Sequence, residues 1–298
     1  MRSEMDKLFV QNILSLYGAR GKQWLDNLPE IIESRAEFWQ ISGLKSLGNH
    51  SYNYVLTGLQ NEKAVVLKLN PDDTNLNKEA KALQAFAEFG VVALLDQMDD
   101  ALLLECAVPG NSLKNYWPKR EEDAIKIACK AIKKLHQAPY PKEGIFPSID
   151  EWLAALDKEW DIPAIYLKQA REQKESLLKT RNETRLLHGD FHHDNILAHG
   201  EDWLLIDPKG VLGEQTYEVT TFIRNPMPEL LDSERALAIL QNRVERMAVL
   251  LELDRQRIYK WCFVQTILSW IWNLEDGLDT AYFRQLATIF YSLLPRQA

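Results

Sequence analysis

One segment, residues 186–210, constrains this chain more than any other. It reads LLHGDFHHDNILAHGEDWLLIDPKG, a polar loop followed by a short strand, a glycine turn and a second strand. Such a hairpin would hold Asp190 and Asn195 on one loop and bring Asp207 back beside them. All three side chains carry oxygen donors, which magnesium prefers, and it takes only one or two from protein when phosphates supply the others. Two of them can hold a divalent ion while the third addresses a nucleophile, so the spacing suits phosphoryl transfer.

A zinc cage is the competing interpretation of the histidines in this segment. Zinc hydrolases use clustered imidazoles, and a closed site needs three or four ligands. The order here is His-Gly-Asp-Phe-His-His-Asp, and the sequence has no second histidine cluster to complete a dinuclear site. The remaining histidines, His50, His136 and His199, are scattered along the chain. The sequence therefore favours oxygen-bound magnesium over a dedicated zinc site.

Charge and composition exclude several classes of protein. The formal net charge of −8 argues against a general nucleic-acid binder, which usually has a basic face, and is compatible with a cationic small-molecule partner. The beginning of the chain alternates charged and apolar residues, unlike a signal peptide. The longest nearly apolar stretch, residues 261–272, is too short to span a bilayer. Three widely spaced cysteines without a CxxC pair are typical of reduced thiols. We expect a cytoplasmic protein with no membrane or nucleic-acid partner.

The predicted secondary structure changes near residues 41 and 107. Strands are predicted at 41–47, 51–58 and 63–70, followed by a helix over 74–90 and two strands that end near 106. Helical patterns dominate afterwards, at 112–117, 121–138, 149–160, 163–181, 216–224, 232–252, 254–275 and 279–293. The fold class is therefore α+β. We expect an N-terminal lobe over 1–106, with leading helices and a five-stranded sheet, and a helical lobe over 107–298 that carries the hairpin 185–210. Ligands usually bind in the cleft of such an arrangement.

The hairpin also carries a resemblance. HGDFHHDN matches, residue for residue, the His-x-Asp-x4-Asn catalytic loop of protein-kinase-like phosphotransferases. The whole segment resembles the aminoglycoside phosphotransferase superfamily, and IDPKG is similar to its streptomycin 6-kinase and hydroxyurea-resistance kinase group. The resemblance implies a protein-kinase-like fold and an antibiotic-resistance-type kinase that uses ATP and Mg²⁺ on a small-molecule hydroxyl. An aminoglycoside such as streptomycin is the leading acceptor. Another small alcohol or amino sugar is the alternative, as is a non-catalytic nucleotide-binding regulator.

The resemblance assigns roles to five residues. Asp190 becomes the catalytic base or the group that orients the acceptor hydroxyl, and Asn195 and Asp207 become the magnesium ligands. Lys68, at the end of the strand AVVLK, would contact the α- and β-phosphates of ATP, held by Glu79 eleven residues later. Taken alone, Lys68 and Glu79 could also be a solvated strand end and a helix-surface charge. The downstream triad favours the functional interpretation.

Other parts of the nucleotide site depart from the protein-kinase pattern. The phosphate-covering turn, LGNHSYNYVL, has the single glycine Gly48, so backbone amides near Ser51, and the Ser51 hydroxyl, would do the work of a glycine-rich loop. Ser51 could equally cap the turn. The hinge that binds adenine would be residues 105–108, with Glu105 and Ala107 as nucleotide contacts. Pro208 replaces the usual phenylalanine after the metal-binding aspartate, which argues against a phenylalanine-driven switch because proline fixes φ.

Recognition of a cationic acceptor would need carboxylates and aromatic faces. Trp272, Glu275 and Asp276, near the end of one predicted helix, are the candidate acceptor contacts, although tryptophans on helices are more often core residues. We expect Glu218 to anchor the catalytic loop through buried hydrogen bonds to backbone, and His188 and His193 to be structural. Three residues stay open: Glu214, which could face solvent, His192, and Lys209, which could neutralise the γ-phosphate or pair with a surface acid.

Overall fold

The computed structural model describes residues 7–48, 52–141 and 144–294. The chain forms two compact units, Met1–Gly110 and Asn111–Ala298. The first contains a small antiparallel sheet and the second is mainly helical, so the α+β class predicted from the sequence is confirmed. Within the described residues, no helix is both long enough and apolar enough to cross a membrane.

The first unit begins with the helical segment α1, Lys7–Phe38, which is interrupted at Gly18. Gly18 has φ 53° and ψ −127°, a conformation that glycine adopts readily, and the helix resumes after it. The apolar spacing of DKLFVQNILSLYG predicts a first helix that ends at Gly18, whereas the structure has a break there within a longer helical segment. Phe9 and Ile13 face the core, but Leu8 and Leu16, which the helical spacing placed near the same face, are 57% and 47% exposed.

The sheet of the first unit has five antiparallel strands in the order β1-β2-β3-β5-β4. Helix α2, Asp73–Ala85, follows the third strand as predicted, although it ends five residues earlier than expected. Positive φ angles at Asn61 and Glu62 make the tight turn between the second and third strands. The strands are β1 Ser42–Ser46, β2 Tyr54–Gln60, β3 Lys63–Leu69, β4 Leu94–Met98 and β5 Ala101–Glu105.

The core of the first unit joins α1 to one face of this sheet. Alternate residues of β3 and β5 point toward it, among them Leu67, Leu69 and Leu103, which are at most 2% exposed. Trp24 and Leu28 of α1 pack in the same cluster. Because alternation along β3 buries one face, the register of the strand is fixed, and this register determines where Lys68 lies.

The second unit is built around one enclosed helix, α8, which is buried almost continuously from Ile258 to Ile271. Helices α5, α6, α7 and α9 pack against it, so the apolar stretch 261–272, too short to span a bilayer, lies in a core helix. The predicted helix over 149–160 is a short helix followed by a 3-10 turn. The helices are α3 Glu121–Leu135, α4 Ile149–Leu153, α5 Ala164–Lys179, α6 Gln215–Ile223, α7 Ala236–Leu251, α8 Arg255–Glu275 and α9 Ala281–Leu293.

Short strands carry the polar loop of the second unit. Strand β6, Pro109–Ser112, leads into the unit. Strand β7, Arg185–Leu187, pairs with the later β10, Val211–Gly213. Between them, β8, Ile196–His199, and β9, Asp202–Leu205, form the antiparallel hairpin expected from the glycine turn. The two pairs hold both ends of the segment 188–210, so the loop bearing Asp190 is fixed at its base.

Candidate active site

His188 ties the start of the polar loop to its end. Its side chain is fully buried, and its Nε2 lies 2.9 Å from the carbonyl oxygen of Ile206. Its own carbonyl oxygen accepts hydrogen bonds from the backbone amides of Lys209 at 2.8 Å and Gly210 at 3.2 Å. Burial lowers the pKa of His188, which favours a neutral imidazole. The prediction that His188 is structural is confirmed, since it fastens the loop to neighbouring backbone.

Glu218 of α6 anchors the same loop from below. Its carboxylate, in a side chain only 2% exposed, accepts hydrogen bonds from the backbone amides of His188 at 2.6 Å and Gly189 at 3.1 Å. A buried carboxylate is stable only with such partners, and charge-assisted bonds of this kind are strong. The predicted buried anchor is therefore present, and it fixes the backbone immediately before Asp190.

Gly189 must be glycine for the loop to take this path. Its φ is +82°, and a Cβ atom would lie 3.0 Å from Cη2 of Trp152 and 3.1 Å from Cγ1 of Val211. The indole of Trp152 thus lies directly against the residue that precedes Asp190. Trp272 packs edge-on against Trp152, with ring centroids 5.7 Å apart. An aromatic wall therefore adjoins the loop.

Asn195 and Asp207 are brought together by the hairpin. The Asn195 amide nitrogen donates to the carbonyl oxygen of Asp190 at 2.9 Å, which turns its side-chain oxygen away from that bond. The backbone amide of Ile206, the residue before Asp207, donates to the carbonyl oxygen of Asn195 at 3.1 Å. Asp207 has φ 59°, a left-handed conformation that aspartate tolerates better than most residues. This set of oxygen donors fits the ligand preference of Mg²⁺.

Two basic side chains flank the Asp190 carboxylate. His192 Nε2 lies 3.7 Å from Oδ1, and Lys209 Nζ lies 3.9 Å from Oδ2. The Lys209 side chain is 54% exposed, so this pair is largely screened by solvent. Of the two alternatives for Lys209, the structure displays an acid partner, and that partner is Asp190 itself. His192 Nδ1 also accepts a hydrogen bond from the Asp194 amide, which orients its ring.

His193 is a packing residue, as expected. Its ring is buried and stacks on Phe222 with centroids 4.1 Å apart and planes 13° apart. Burial, and then the nearby Arg243 guanidinium, hold the pKa of His193 well below its usual value. Among the residues described by the structure, no group of three histidine, cysteine, aspartate or glutamate side chains is arranged to hold a metal ion. The zinc-cage interpretation has no support in this part of the chain.

Lys68 and Glu79 form a buried ion pair within the first unit. Lys68 Nζ lies 2.8 Å from Oε1 and 2.7 Å from Oε2 of Glu79, and the two side chains are 4% and 12% exposed. Burying a lysine is costly unless it is paired, so neither residue is an ordinary surface charge. The strand β3 supplies the cation and α2 supplies the acid, the arrangement that the sequence predicted.

The remaining nucleotide-binding candidates are less informative. Ser51 lies outside the described residues. Glu105, at the end of β5, accepts a hydrogen bond from the Ala93 amide at 3.0 Å, and Ala107 is 7% exposed. Their assignment as adenine contacts stays a prediction.

The three acceptor candidates differ in their surroundings. Trp272 is half-buried and adjoins the loop through Trp152, whereas Glu275 and Asp276 are exposed at the end of α8. Trp270, on the same helix, is buried. With residues 161–163 and Arg284 it lines a cavity of about 380 Å³.

Glu214 does not face solvent, so that alternative is wrong. The side chain is 7% exposed and pairs with Arg257 at 2.5 Å, and it also accepts a hydrogen bond from the Trp261 indole. The sequence gave no signal for this contact because Arg257 lies 43 residues later. The sequence interpretation also missed Arg224, a buried arginine at the end of α6.

The chain is similar in sequence to several known phosphotransferases. Residues 41–277 match the family described as aminoglycoside/hydroxyurea antibiotic resistance kinase. A streptomycin 3''-kinase of Klebsiella pneumoniae is 34% identical over 186 residues, covering 59% of this chain and 68% of the relative. A streptomycin 6-kinase of Streptomyces griseus is 23% identical over 280 residues and 91% of each chain. A hydroxyurea phosphotransferase of Kitasatospora aureofaciens is 27% identical over 92% of this chain and 81% of its own length.

Solved structures establish the fold. A thermostable mutant of the aminoglycoside phosphotransferase APH(4)-Ia, in a ternary complex with AMP-PNP and hygromycin B, superposes with a TM-score of 0.68 at 14% identity. The match covers 89% of this chain and 98% of the other. The choline kinase LicA from Streptococcus pneumoniae superposes with a TM-score of 0.62 at 12% identity, covering 89% and 99%. The chain therefore has the protein-kinase-like fold that the sequence predicted.

Proposed function

Because the chain belongs to the aminoglycoside/hydroxyurea antibiotic resistance kinase family, we propose that it transfers the γ-phosphoryl group of ATP to a hydroxyl of a small molecule, with magnesium. Phosphotransfer to an alcohol follows from the family; the nucleotide, the metal and the acceptor are the proposed parts. The observation that supports the proposal most is the loop bearing Asp190. Glu218 fixes its backbone, and the hairpin brings Asn195 and Asp207 together.

Asp190 is the proposed reacting group on the acceptor side. Its carboxylate would accept the hydroxyl proton, or orient that hydroxyl, as the acceptor oxygen forms its bond to phosphorus and the bond from phosphorus to the β-phosphate oxygen breaks. The products are ADP and the phosphorylated acceptor. There is little covalent chemistry for the protein in such a step, so rate enhancement would come from positioning and charge neutralisation.

Asn195 and Asp207 would hold Mg²⁺, which when bound neutralises phosphate charge. Lys68, paired with Glu79, would contact the α- and β-phosphates. The buried pair supports this role because the ion pair with Glu79 restricts the Lys68 side chain to one conformation and so fixes the position of its ammonium group. Ser51, Glu105 and Ala107 would complete the nucleotide site. The proposed division into residues 1–106 and 107–298 places Lys68, Glu79, Ser51 and Glu105 in the first part, and Ala107 and the Asp190 loop in the second.

Streptomycin is the proposed acceptor, since the relatives include a streptomycin 3''-kinase and streptomycin 6-kinases. Trp272 supports an acceptor-binding role through the aromatic wall it forms with Trp152 beside the loop. Glu275 and Asp276, exposed and acidic, would attract a cationic acceptor. The second candidate is hydroxyurea, favoured by the similarity to a hydroxyurea phosphotransferase over most of both chains. A cytoplasmic location, where ATP is available, completes the proposal.

The test is ADP release with MgATP and a panel of acceptors: streptomycin, hygromycin B, hydroxyurea and choline. We expect turnover on streptomycin, and we expect Asp190→Asn to reduce kcat by about 10² to 10⁴, the usual range for a positioned acid-base group. Glu183→Gln is the matched control, because this acid pairs with Arg185 at the surface. Nucleotide binding without turnover on any acceptor would instead favour the non-catalytic regulator.

A further inference from the structure

Arg224 is a buried cation whose guanidinium has no hydrogen-bond or ion-pair partner among the described residues. It caps the C-terminus of α6 and is 6% exposed. Across residues 7–48, 52–141 and 144–294, no hydrogen bond or ion pair reaches its guanidinium, and its Nε is fully enclosed. A guanidinium has five N–H donors and no acceptor. Burying it without a partner is costly, so this position calls for an explanation other than packing.

The surroundings hold the guanidinium in place without neutralising it. Its carbon lies 5.4 Å from the ring centroid of Phe283, close enough for a cation–π contact. The backbone carbonyl oxygen of Arg224 accepts a hydrogen bond from the Tyr282 hydroxyl at 2.5 Å. Both contacts come from α9, so α9 positions Arg224 while leaving its donors unused by the described residues.

Arg224 also lies within electrostatic range of Asp190. Burial lowers the pKa of Arg224, and Tyr282, Tyr217 and the Asp190 carboxylate oppose that shift by favouring the charged form. Tyr217, on the same helix as Arg224, lies near the loop: its ring centroid is 6.5 Å from that of Trp152, which adjoins Gly189 next to Asp190. The unpaired cation is therefore part of the surroundings of the proposed reacting carboxylate.

We propose that Arg224 binds an anionic oxygen group beside the Asp190 loop. This inference rests on the proposed function, and it names a contact that the family resemblance did not supply. Guanidinium matches carboxylate and phosphate oxygens with two parallel N–H bonds, and a desolvated setting strengthens such a pair. The anionic group has two possible sources: the phosphoryl group as it is transferred to the acceptor, or a carboxylate or phosphate that the acceptor already carries.

The inference adds a constraint on the acceptor. An ammonium or guanidinium of a cationic acceptor would be repelled from the neighbourhood of Arg224, since like charges at close range are disfavoured. Cationic groups would therefore be directed toward exposed acids such as Glu275 and Asp276, and an oxygen-bearing group toward Arg224.

The experiment measures thermal melting of the full chain with MgADP and inorganic phosphate, so that it requires no turnover. Wild type, Arg224→Met and the control Arg255→Met are compared. Arg255 is a surface arginine paired with Glu245, 51% exposed. A ligand that binds only the folded state raises the melting temperature. We expect phosphate to do so in wild type and in Arg255→Met, and to have no such effect in Arg224→Met.

Two further results are expected from the same series. Without phosphate, Arg224→Met should melt at or above the wild-type temperature, because an apolar side chain of similar length replaces an unpaired buried charge. Arg224→Lys should keep the positive charge but lose the bidentate geometry, so the phosphate concentration for half the effect should rise about tenfold or more.

Adding Mg-AMP-PNP in place of MgADP distinguishes the two sources. A phosphate response that disappears with AMP-PNP identifies the transferred phosphoryl group, and a response that persists identifies an anionic group of the acceptor. The inference is overturned if phosphate does not stabilise wild type, or if it stabilises Arg224→Met equally. Failure of the acceptor panel alone, with an Arg224-dependent phosphate response intact, would reject the proposed acceptors and leave the anion site standing.

Discussion

Two buried arginines near the C-terminal end of α6 are in opposite situations. Arg243, from α7, is fully buried and forms a bidentate pair with Glu121 at 2.9 and 3.0 Å. It also donates to the carbonyl oxygens of Ile223, at 2.9 Å, and Asn225. Arg224, at the end of α6 itself, has no such partner among the described residues. The same helix end thus holds one arginine with ion-pair and hydrogen-bond partners and one without them among the described residues.

This difference distinguishes a residue that stabilises the fold from one that we assign to ligand binding. Arg243 occupies the carbonyl groups that every helix leaves unpaired at its C-terminus, and positive charge is favoured there. It therefore fixes the end of α6, the helix whose Glu218 anchors the catalytic loop. Arg224 makes no contribution of this kind through its side chain. Natural proteins accept such local costs at binding sites, where stability is given up for function.

The largest loss of stability is expected from replacing Arg243, the arginine that has ion-pair and hydrogen-bond partners. Arg243→Met leaves the Glu121 carboxylate and several carbonyl oxygens unpaired, and breaking a buried pair by removing one member usually destabilises by about 3–5 kcal/mol. Chemical denaturation with circular dichroism should show this loss, whereas Arg224→Met should lose none. If both variants lost the same stability, the contrast between the two arginines would have no energetic basis.

The second-largest effect is expected from removing one acceptor oxygen of Glu218, the residue that anchors the loop. Glu218→Gln places an amide group opposite the backbone N–H groups of His188 and Gly189, so one donor loses its partner at about 1–3 kcal/mol. Displacement of Asp190 should then lower kcat by about 10- to 100-fold, since a shift near 1 Å can cost that much. Steady-state kinetics give the measurement, with Glu183→Gln as the surface control. Unchanged kcat in Glu218→Gln would show that the loop does not depend on this anchor.

Acid should weaken the scaffold through its buried histidines. Burial lowers the pKa of both His188 and His193 below the ordinary value of about 6.5. The unfolded chain therefore binds more protons below that pH, so their contribution is intact above about pH 6.5 and lost progressively as the pH falls. Each group can contribute a slope of up to about 1.4 kcal/mol per pH unit. Denaturation between pH 7 and pH 5 should show a shallower slope for His193→Gln than for wild type; equal slopes would count against a buried neutral His193.

Lys209→Met should have the smallest effect. The pair with Asp190 is long, at 3.9 Å, and the lysine is 54% exposed, so solvent and salt screen it. We expect kcat/KM to change about threefold or less, and less still in high salt. A loss of a hundredfold or more would instead assign Lys209 to the transferring phosphoryl group, the alternative that the sequence left open.

The catalytic segment was predictable because its signal is local. Spacing alone placed Asp190 and Asn195 on one loop and Asp207 after the returning strand, and the hairpin β8–β9 forms where the glycine turn indicated. Lys68 and Glu79 lie at a strand end and on the next helix, and their pairing was predicted only with the support of the downstream triad. Helix limits were less accurate: α2 ends at Ala85 where 90 was predicted, because a Phe-Ala-Glu-Phe sequence continues the helical pattern without a breaker.

Contacts between residues that are far apart in the chain could not be predicted from the sequence. Nothing local distinguishes Glu214, which pairs with Arg257, from Glu218, which binds backbone amides. The sequence around Arg224 gives no signal, because what distinguishes this residue is that its guanidinium has no hydrogen-bond or ion-pair partner among the described residues. Leu8 and Leu16 show the converse: their spacing is that of a buried face, yet both are exposed.

The most direct test of the account is mass spectrometry of streptomycin after incubation with MgATP, comparing wild type with Asp190→Asn. The account predicts a monophosphorylated antibiotic with wild type, formed about 10² to 10⁴ times more slowly by the variant while its circular dichroism spectrum is unchanged. Phosphorylation at the same rate by both proteins would contradict it, because Asp190 would then not be the group that acts on the acceptor hydroxyl.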